Sequence, residues 1–277
     1  MTSREASPHR GARARHRHER ERLPWPALAL AVAAVAFFAI PFLGLLIRAP
    51  WGDVWSELTS DAALIALRLS MWCSLWAVVL SLLFGVPLAW LLARVDFPGR
   101  ALVRALCTIS MVLPPVVAGV ALFAALGRRG LVGQYLDRWF GISLPFTTVG
   151  VIVAQTFVAM PFLVLTVESA FRQFDTRLEG AARVLGATRG TTFWRVTVPG
   201  IRPGLVAGAV LAWSRALGEF GATITFAGRF PGRTETMPLA IYLANEIDTD
   251  RAVVLSLVLV AVSFLVLVLL RDRYVDR

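Results

Sequence analysis

Apolar residues in this chain come in long blocks, not in alternation and not on one helical stripe. The blocks lie at about 27–47, 62–93, 101–126, 147–170, 203–227 and 252–270, parted by shorter polar segments. Each satisfies the need for roughly 20 residues to cross a bilayer core, so six transmembrane helices are expected in an all-α integral membrane protein. The first block exceeds the roughly 7–15 residues of a signal-peptide core and lacks a clear small-x-small cleavage site, so it reads as an uncleaved helix. Pro41, Pro87, Pro114, Pro115 and Pro161 fall in or beside the blocks; membrane helices tolerate them where neighbours or water satisfy the freed carbonyls. Leu113-Pro114-Pro115, followed by Gly119, predicts a break or bend in the third helix. The expected organisation is a basic tail at 1–23, a first helix with its external loop at 24–61, a transmembrane domain at 62–270 and a short tail at 271–277. The end seven residues after Leu270 predicts no appended regulatory domain.

Composition removes the alternatives. The 277 residues are 57% hydrophobic and 17% charged, with a mean hydropathy of +0.68. A soluble domain carries about 25% charged residues, so a water-soluble enzyme is excluded, and the apolar content also excludes disorder. The net charge is +10 and all 28 basic residues are arginine. Set between apolar blocks, these arginines read as topology signals and not as a nucleic-acid patch. With the N-terminal tail placed in the cytoplasm, 19 arginines fall in inside segments and 8 in outside ones, with Arg215 inside a span, so both termini are expected to be cytoplasmic. Trp25, Trp51, Trp55 and Trp139 stand at expected helix boundaries, where an indole can lie among headgroups.

Little here points to chemistry. Cys73 and Cys107 sit in apolar segments at no metal-ligand spacing, and His9, His16 and His18 all lie in the tail. No metal site and no catalytic residue are expected. An intramembrane hydrolase would need a base at membrane depth, and the spans hold no histidine. The phosphate loop G-x-x-x-x-G-K-[ST] is absent, so no nucleotide site is expected in this chain.

The segment 171–202 is long for a loop and has its own pattern. Asp175 or Thr176 can cap a short helix running to Leu185, with Glu179 favourable in its first turns and Gly186 placed to end it in the left-handed conformation. Leu178, Ala181, Ala182 and Leu185 share helical spacing, which by itself describes a helix lying on headgroups. The run Glu179-Gly180-Ala181-Ala182-Arg183-Val184-Leu185-Gly186, then nine residues and Val196-Thr197-Val198-Pro199, resembles the E-A-A-x-x-x-G-x₉-I-x-L-P signature of ABC importer permeases. Gly180 stands where that signature has its acid, with Glu179 one position earlier. The resemblance implies a coupling helix that seats in a groove of a separate ATPase, formed by Glu179, Gly180, Ala181, Ala182, Leu185 and Gly186, with Val198 and Pro199 closing the motif.

The fifth block contains Trp213-Ser214-Arg215-Ala216-Leu217-Gly218-Glu219-Phe220-Gly221-Ala222-Thr223. A charge at the membrane centre costs about 2.5–3.5 kcal/mol on insertion scales, so Arg215 and Glu219 should face protein or water. Four residues apart on one helical face, they can neutralise each other as a structural pair. Alternatively Arg215 is a positive element on an anion path, held by Glu219, with Ser214, Gly218 and Thr223 beside it. Gly204 and Gly208 form a GxxxG, which is read as close helix packing.

From about residue 62 to the C-terminus, including Leu113 to Gly119 and 215–246, the chain resembles the permease subunit of molybdate ABC transporters. Sulfate and thiosulfate permeases share the Arg-Ala-x-Gly-Glu core; the 227–242 run favours molybdate, and tungstate has nearly the same size and charge. The resemblance implies a type I ABC importer permease fold in the inner membrane of a prokaryote. It implies a homodimer joined to two ATPase subunits, which bind ATP and Mg, and to an extracytoplasmic molybdate-binding protein. A passive anion channel would not need the coupling signature.

Overall fold

The computed structural model describes residues 25–274, with side chains through Val268; the basic tail at 1–23 and the last three residues lie outside the described residues. Helices make up the ordered structure and no strand occurs among the described residues. Helix α1 (Trp25–Arg48) is apolar throughout, carries Pro41, and ends on Arg48.

In the remaining chain, α2 (Val54–Leu58) precedes the long α3 (Asp61–Arg94), which is capped by the Ser60 hydroxyl accepting from the Ala63 amide at 3.3 Å. The third apolar block is two helices. Helix α4 (Arg100–Val112) stops before Leu113 and Pro114, and α5 (Pro115–Leu126) restarts with a proline in its first turn. That is the break read from Leu-Pro-Pro: each proline lacks an amide donor and disfavours helix at the residue before it. Then come the short α6 (Gly133–Phe140) and α7 (Thr148–Gln173), the latter capped by Thr147. The segment between α7 and α11 holds α8 (Thr176–Val184), α9 (Arg189–Thr192), a π-helical turn at Phe193–Thr197 and α10 (Val198–Gly200). Helices α11 (Arg202–Leu217), α12 (Gly221–Ala227), α13 (Met237–Ile247) and α14 (Thr249–Tyr274) complete the chain.

Among the described residues, four helices are long and apolar enough to cross a membrane: α1, α3, α7 and α14. The segment from Arg189 through α11 adds a fifth when its 68° bend is taken as one broken span. The expected single helix over 203–227 is corrected: it stops at Leu217 and restarts at Gly221, because Gly218 caps the first piece and the Glu219 carboxylate caps the second. Helix α14 also continues into the expected C-terminal tail, reaching Tyr274.

Helices α3, α7 and α11 pack together through small residues. Ala77 and Ala89, Ala159, and Ala212 and Ala216 are fully buried in one cluster with Leu92, Leu163, Val164, Val167 and Phe171. A Cβ on Gly204 would stand 2.3 Å from the Ala170 Cβ, and one on Gly208 would stand 3.2 Å from Val167. The GxxxG is therefore the seam along which α11 lies on α7, in keeping with close backbone approach in lipid. Helices α5 and α12 meet equally closely, since a Cβ on Gly119 would lie 2.6 Å from Thr225. Met237 and Ala244 of α13 and Leu255 of α14 pack on Ala63 and Ala66 at the start of α3.

Candidate coupling helix and translocation residues

Helix α8 is short, yet its boundaries are set by local chemistry. The Asp175 carboxylate accepts the Arg177 amide at 2.9 Å, and Glu179 lies in the first turn. At the other end Gly186 adopts φ +88°, a left-handed conformation costly for residues with a Cβ. Its amide donates to the Arg183 carbonyl and the Ala187 amide donates to the Ala182 carbonyl, each at 3.0 Å. Those two bonds form a Schellman cap, which satisfies carbonyls otherwise left open at a helix end.

No residue of α8 is fully buried. Leu178 is 53% exposed, Val184 88% and Leu185 87%, an unusual outlay of apolar surface on a two-turn helix. Gly180 and Ala181 are exposed as well, and Ala182 is half-buried. Val184, absent from the expected apolar side, belongs to the exposed surface. Glu179 points the other way: its side chain is 16% exposed and its carboxylate meets the body of the protein. Pro199 removes an amide from the helix and crowds the carbonyl four residues back, which accounts for the widened turn just before it. Val198 lies beside it in α10.

In the fifth block the Arg215 guanidinium contacts Glu219 Oε2 at 2.5 Å. Glu219 is 1% exposed, and its Oε1 accepts the Ala222 amide at 2.8 Å. One carboxylate thus neutralises the arginine of the fifth apolar block and caps the helix after the break. The pairing is made across the end of α11, not on a continuous helix. Ser214 and Gly218 are exposed and Arg215 is partly exposed, so these three share a stripe with Leu211. Thr223 faces the interior at 0% exposure with its hydroxyl unpartnered, apart from that stripe.

Sequence reasoning missed a second buried carboxylate. Glu168 of α7 is 4% exposed, and its Oε1 accepts from Arg104 at 2.5 Å and from Arg172 at 2.8 Å. An acid inside the fourth apolar block with an arginine four residues later was the available signal. Gln155 is also fully buried with both amide atoms unpartnered. On the opposite end of the bundle, Glu57 pairs with Arg251 at 3.3 Å and Arg229 with Glu235 at 3.5 Å. Among the described residues no group of His, Cys, Asp and Glu could hold a metal.

Residues 85–277 match the family described as "Binding-protein-dependent transport system inner membrane component". The chain is 47% identical over 234 residues to the "Molybdenum transport system permease protein ModB" of Mycobacterium tuberculosis (strain ATCC 25618 / H37Rv), covering 84% of this chain and 88% of that one. It is 42% identical over 206 residues to the protein of the same name from Escherichia coli (strain K12), covering 73% and 90%. Identity to the "Sulfate transport system permease protein CysT" of that strain is lower, 35% over 223 residues, covering 80% of each. The fold is similar to that in a crystal structure of a bacterial ABC transporter involved in the import of the acidic polysaccharide alginate, with a TM-score of 0.70 at 19% identity, covering 90% of this chain and 95% of that one. With the family match spanning most of the helical bundle, the chain belongs to the inner membrane components of binding-protein-dependent transport systems.

Proposed function

We propose that this chain is the membrane permease subunit of an ATP-driven importer that carries molybdate into the cytoplasm. The observation that carries the reading is α8: a helix capped at both ends that leaves Leu178, Val184 and Leu185 bare. A helix so built gains by seating its apolar face in a groove of another protein, and in this family's setting the partner is a separate ATPase. The likeness to molybdenum permeases at 42–47% identity, against 35% for a sulfate permease, favours molybdate as cargo. Tungstate shares its charge and shape and falls within the same reading.

The working unit is a homodimer with two ATPase subunits and an extracytoplasmic binding protein. Six spans are α1, α3, α4 with α5, α7, α11 with α12, and α14, and the arginine bias puts both termini in the cytoplasm. ATP draws the ATPase subunits together, the two α8 helices follow, and the spans expose the pathway outward; hydrolysis returns them inward. This is alternating access driven by the different affinities of ATP for two states. ATP and Mg bind the ATPase, and the permease itself holds no cofactor and performs no hydrolysis. The stripe of Ser214, Arg215 and Gly218 passes the anion, with Arg215 pre-neutralised by Glu219 so that it attracts the cargo without trapping it.

Uptake of radiolabelled molybdate into proteoliposomes tests the proposal. Uptake should require ATP, the ATPase and the binding protein together. Molybdate flux through the permease alone would mark a passive channel and overturn it.

A further inference from the structure

Glu179 sits in the helix that the proposed function places against the ATPase, yet its carboxylate is spent inside the chain. Oε1 accepts the Thr197 hydroxyl at 2.8 Å and lies 3.4 Å from the Arg94 guanidinium, while Arg183 of the same helix approaches Oε2 at 3.6 Å. Arg94 is the last residue of α3, and Thr197 is the last of the π-helical turn that leads towards α11. The Arg94 guanidinium also stands 5.9 Å from the centre of the Phe174 ring, at the end of α7. Phe174 in turn fills the space above Gly200, where a Cβ would come within 2.1 Å of the ring. Three elements therefore converge on one carboxylate, α3, α8 and the turn before α11, and the end of α7 packs against the Arg94 that reaches it.

The arrangement has a mechanical meaning because α8 has no fully buried residue of its own. Apolar packing does not fix it to the bundle. A helix joined to the spans only through its two chain ends would follow the ATPase and leave the spans behind. A charged, hydrogen-bonded joint to two spans makes the motion common to all of them, which is the requirement for coupling through rigid elements.

We propose that Glu179 is a positioning residue that transmits motion within the permease, locking α8 to α3 through Arg94 and to the π-helical turn that leads into α11 through Thr197, and that it is not a contact to the ATPase. The proposal rests on the permease reading above and adds the internal route by which ATPase movement reaches the spans.

The test compares complexes of the full-length permease with its ATPase and binding protein. In Glu179→Ala the ATPase should co-purify as with wild type and hydrolyse ATP at a comparable rate. Molybdate moved per ATP should fall about tenfold or more, within the range of coupling between sites. Thr197→Val should lower the same ratio and Thr197→Ser should restore it, a distinction carried by the hydroxyl and not by bulk. Glu179→Gln, which keeps shape and hydrogen bonding, serves if the alanine variant is not recovered, and should lower the ratio in the same direction. Spin labels at Asp96, just past α3, read the joint without any substrate: ATP should change their separation across the dimer in wild type and not in Glu179→Ala. Loss of ATPase co-purification in Glu179→Ala, an unchanged ratio, or a retained ATP-driven change in label separation would overturn the proposal. A wild-type complex that shows the ATP-driven change but moves no molybdate would instead overturn the cargo reading and leave the joint standing.

Discussion

Replacing Gly186 by valine isolates the end of α8, the helix proposed to dock on the ATPase. The residue sits at φ +88° and a Cβ there would meet nothing within 4 Å, so the substitution introduces no clash. Its cost is conformational. The left-handed region costs an L-residue roughly 1–2 kcal/mol, and a β-branched side chain is a genuine outlier there. The helix can hold the strained residue or release the two cap bonds, from Gly186 to Arg183 and from Ala187 to Ala182. Either way the capped form loses about 1–2 kcal/mol, which corresponds to a population change of about 5–30-fold. Because α8 has no fully buried residue, the bundle should remain folded. Affinity of the detergent-solubilised permease for its ATPase, measured by titration, should therefore weaken by about 5–30-fold at an unchanged melting temperature. Gly186→Asn should weaken it less, since asparagine tolerates the left-handed region. Wild-type affinity for Gly186→Val, or a collapse of the whole bundle, would refute this account of α8.

Gly180→Ala should act in the opposite sense: a Cβ there also meets nothing within 4 Å, and alanine gains about 0.5–1 kcal/mol over glycine inside a helix, so ATPase affinity should hold or rise. Weaker affinity would mean that the ATPase groove needs the bare glycine surface. Glu219→Ala removes the cap of α12 and the partner of Arg215, and loss of the cap alone is worth about 0.5–2 kcal/mol; an unchanged melting temperature would contradict the capping role. Gly204→Val pushes a side chain onto Ala170, where even a Cβ would stand at 2.3 Å, and overpacking of about 1–3 kcal/mol should appear as a lower melting temperature. Arg215→Ala should slow transport while leaving assembly with the ATPase intact, and an unchanged transport rate would reduce the Arg215–Glu219 contact to a structural pair.

The parts of this fold that were legible in the sequence are those governed by local rules. Block length gave the long helices α1, α3, α7 and α14, and Leu113-Pro114-Pro115 gave the break between α4 and α5. The ends of α8 were readable because Asp175 and Gly186 act on neighbouring backbone groups. The break at Gly218 was not readable, since the fifth block is apolar on both sides and glycine inside a helix is only mildly unfavourable. What ends the helix there is the Glu219 side chain turning to cap α12, a choice made in three dimensions. The same holds for Glu179: its position in the signature suggested an outward role, whereas its partners Arg94 and Thr197 come from separate elements. Glu168 and Arg104, 64 positions apart, could be placed together only by the packing of α4 on α7.

The central claim, an ATP-driven molybdate permease, is tested most directly by the ATPase activity of the reconstituted complex with its binding protein, titrated with molybdate, tungstate and sulfate. The account predicts stimulation by molybdate and tungstate at low concentration and none by sulfate over the same range. Stimulation by sulfate alone would keep the machine and change its cargo. An assembled complex that responds to none of the three would contradict the claim.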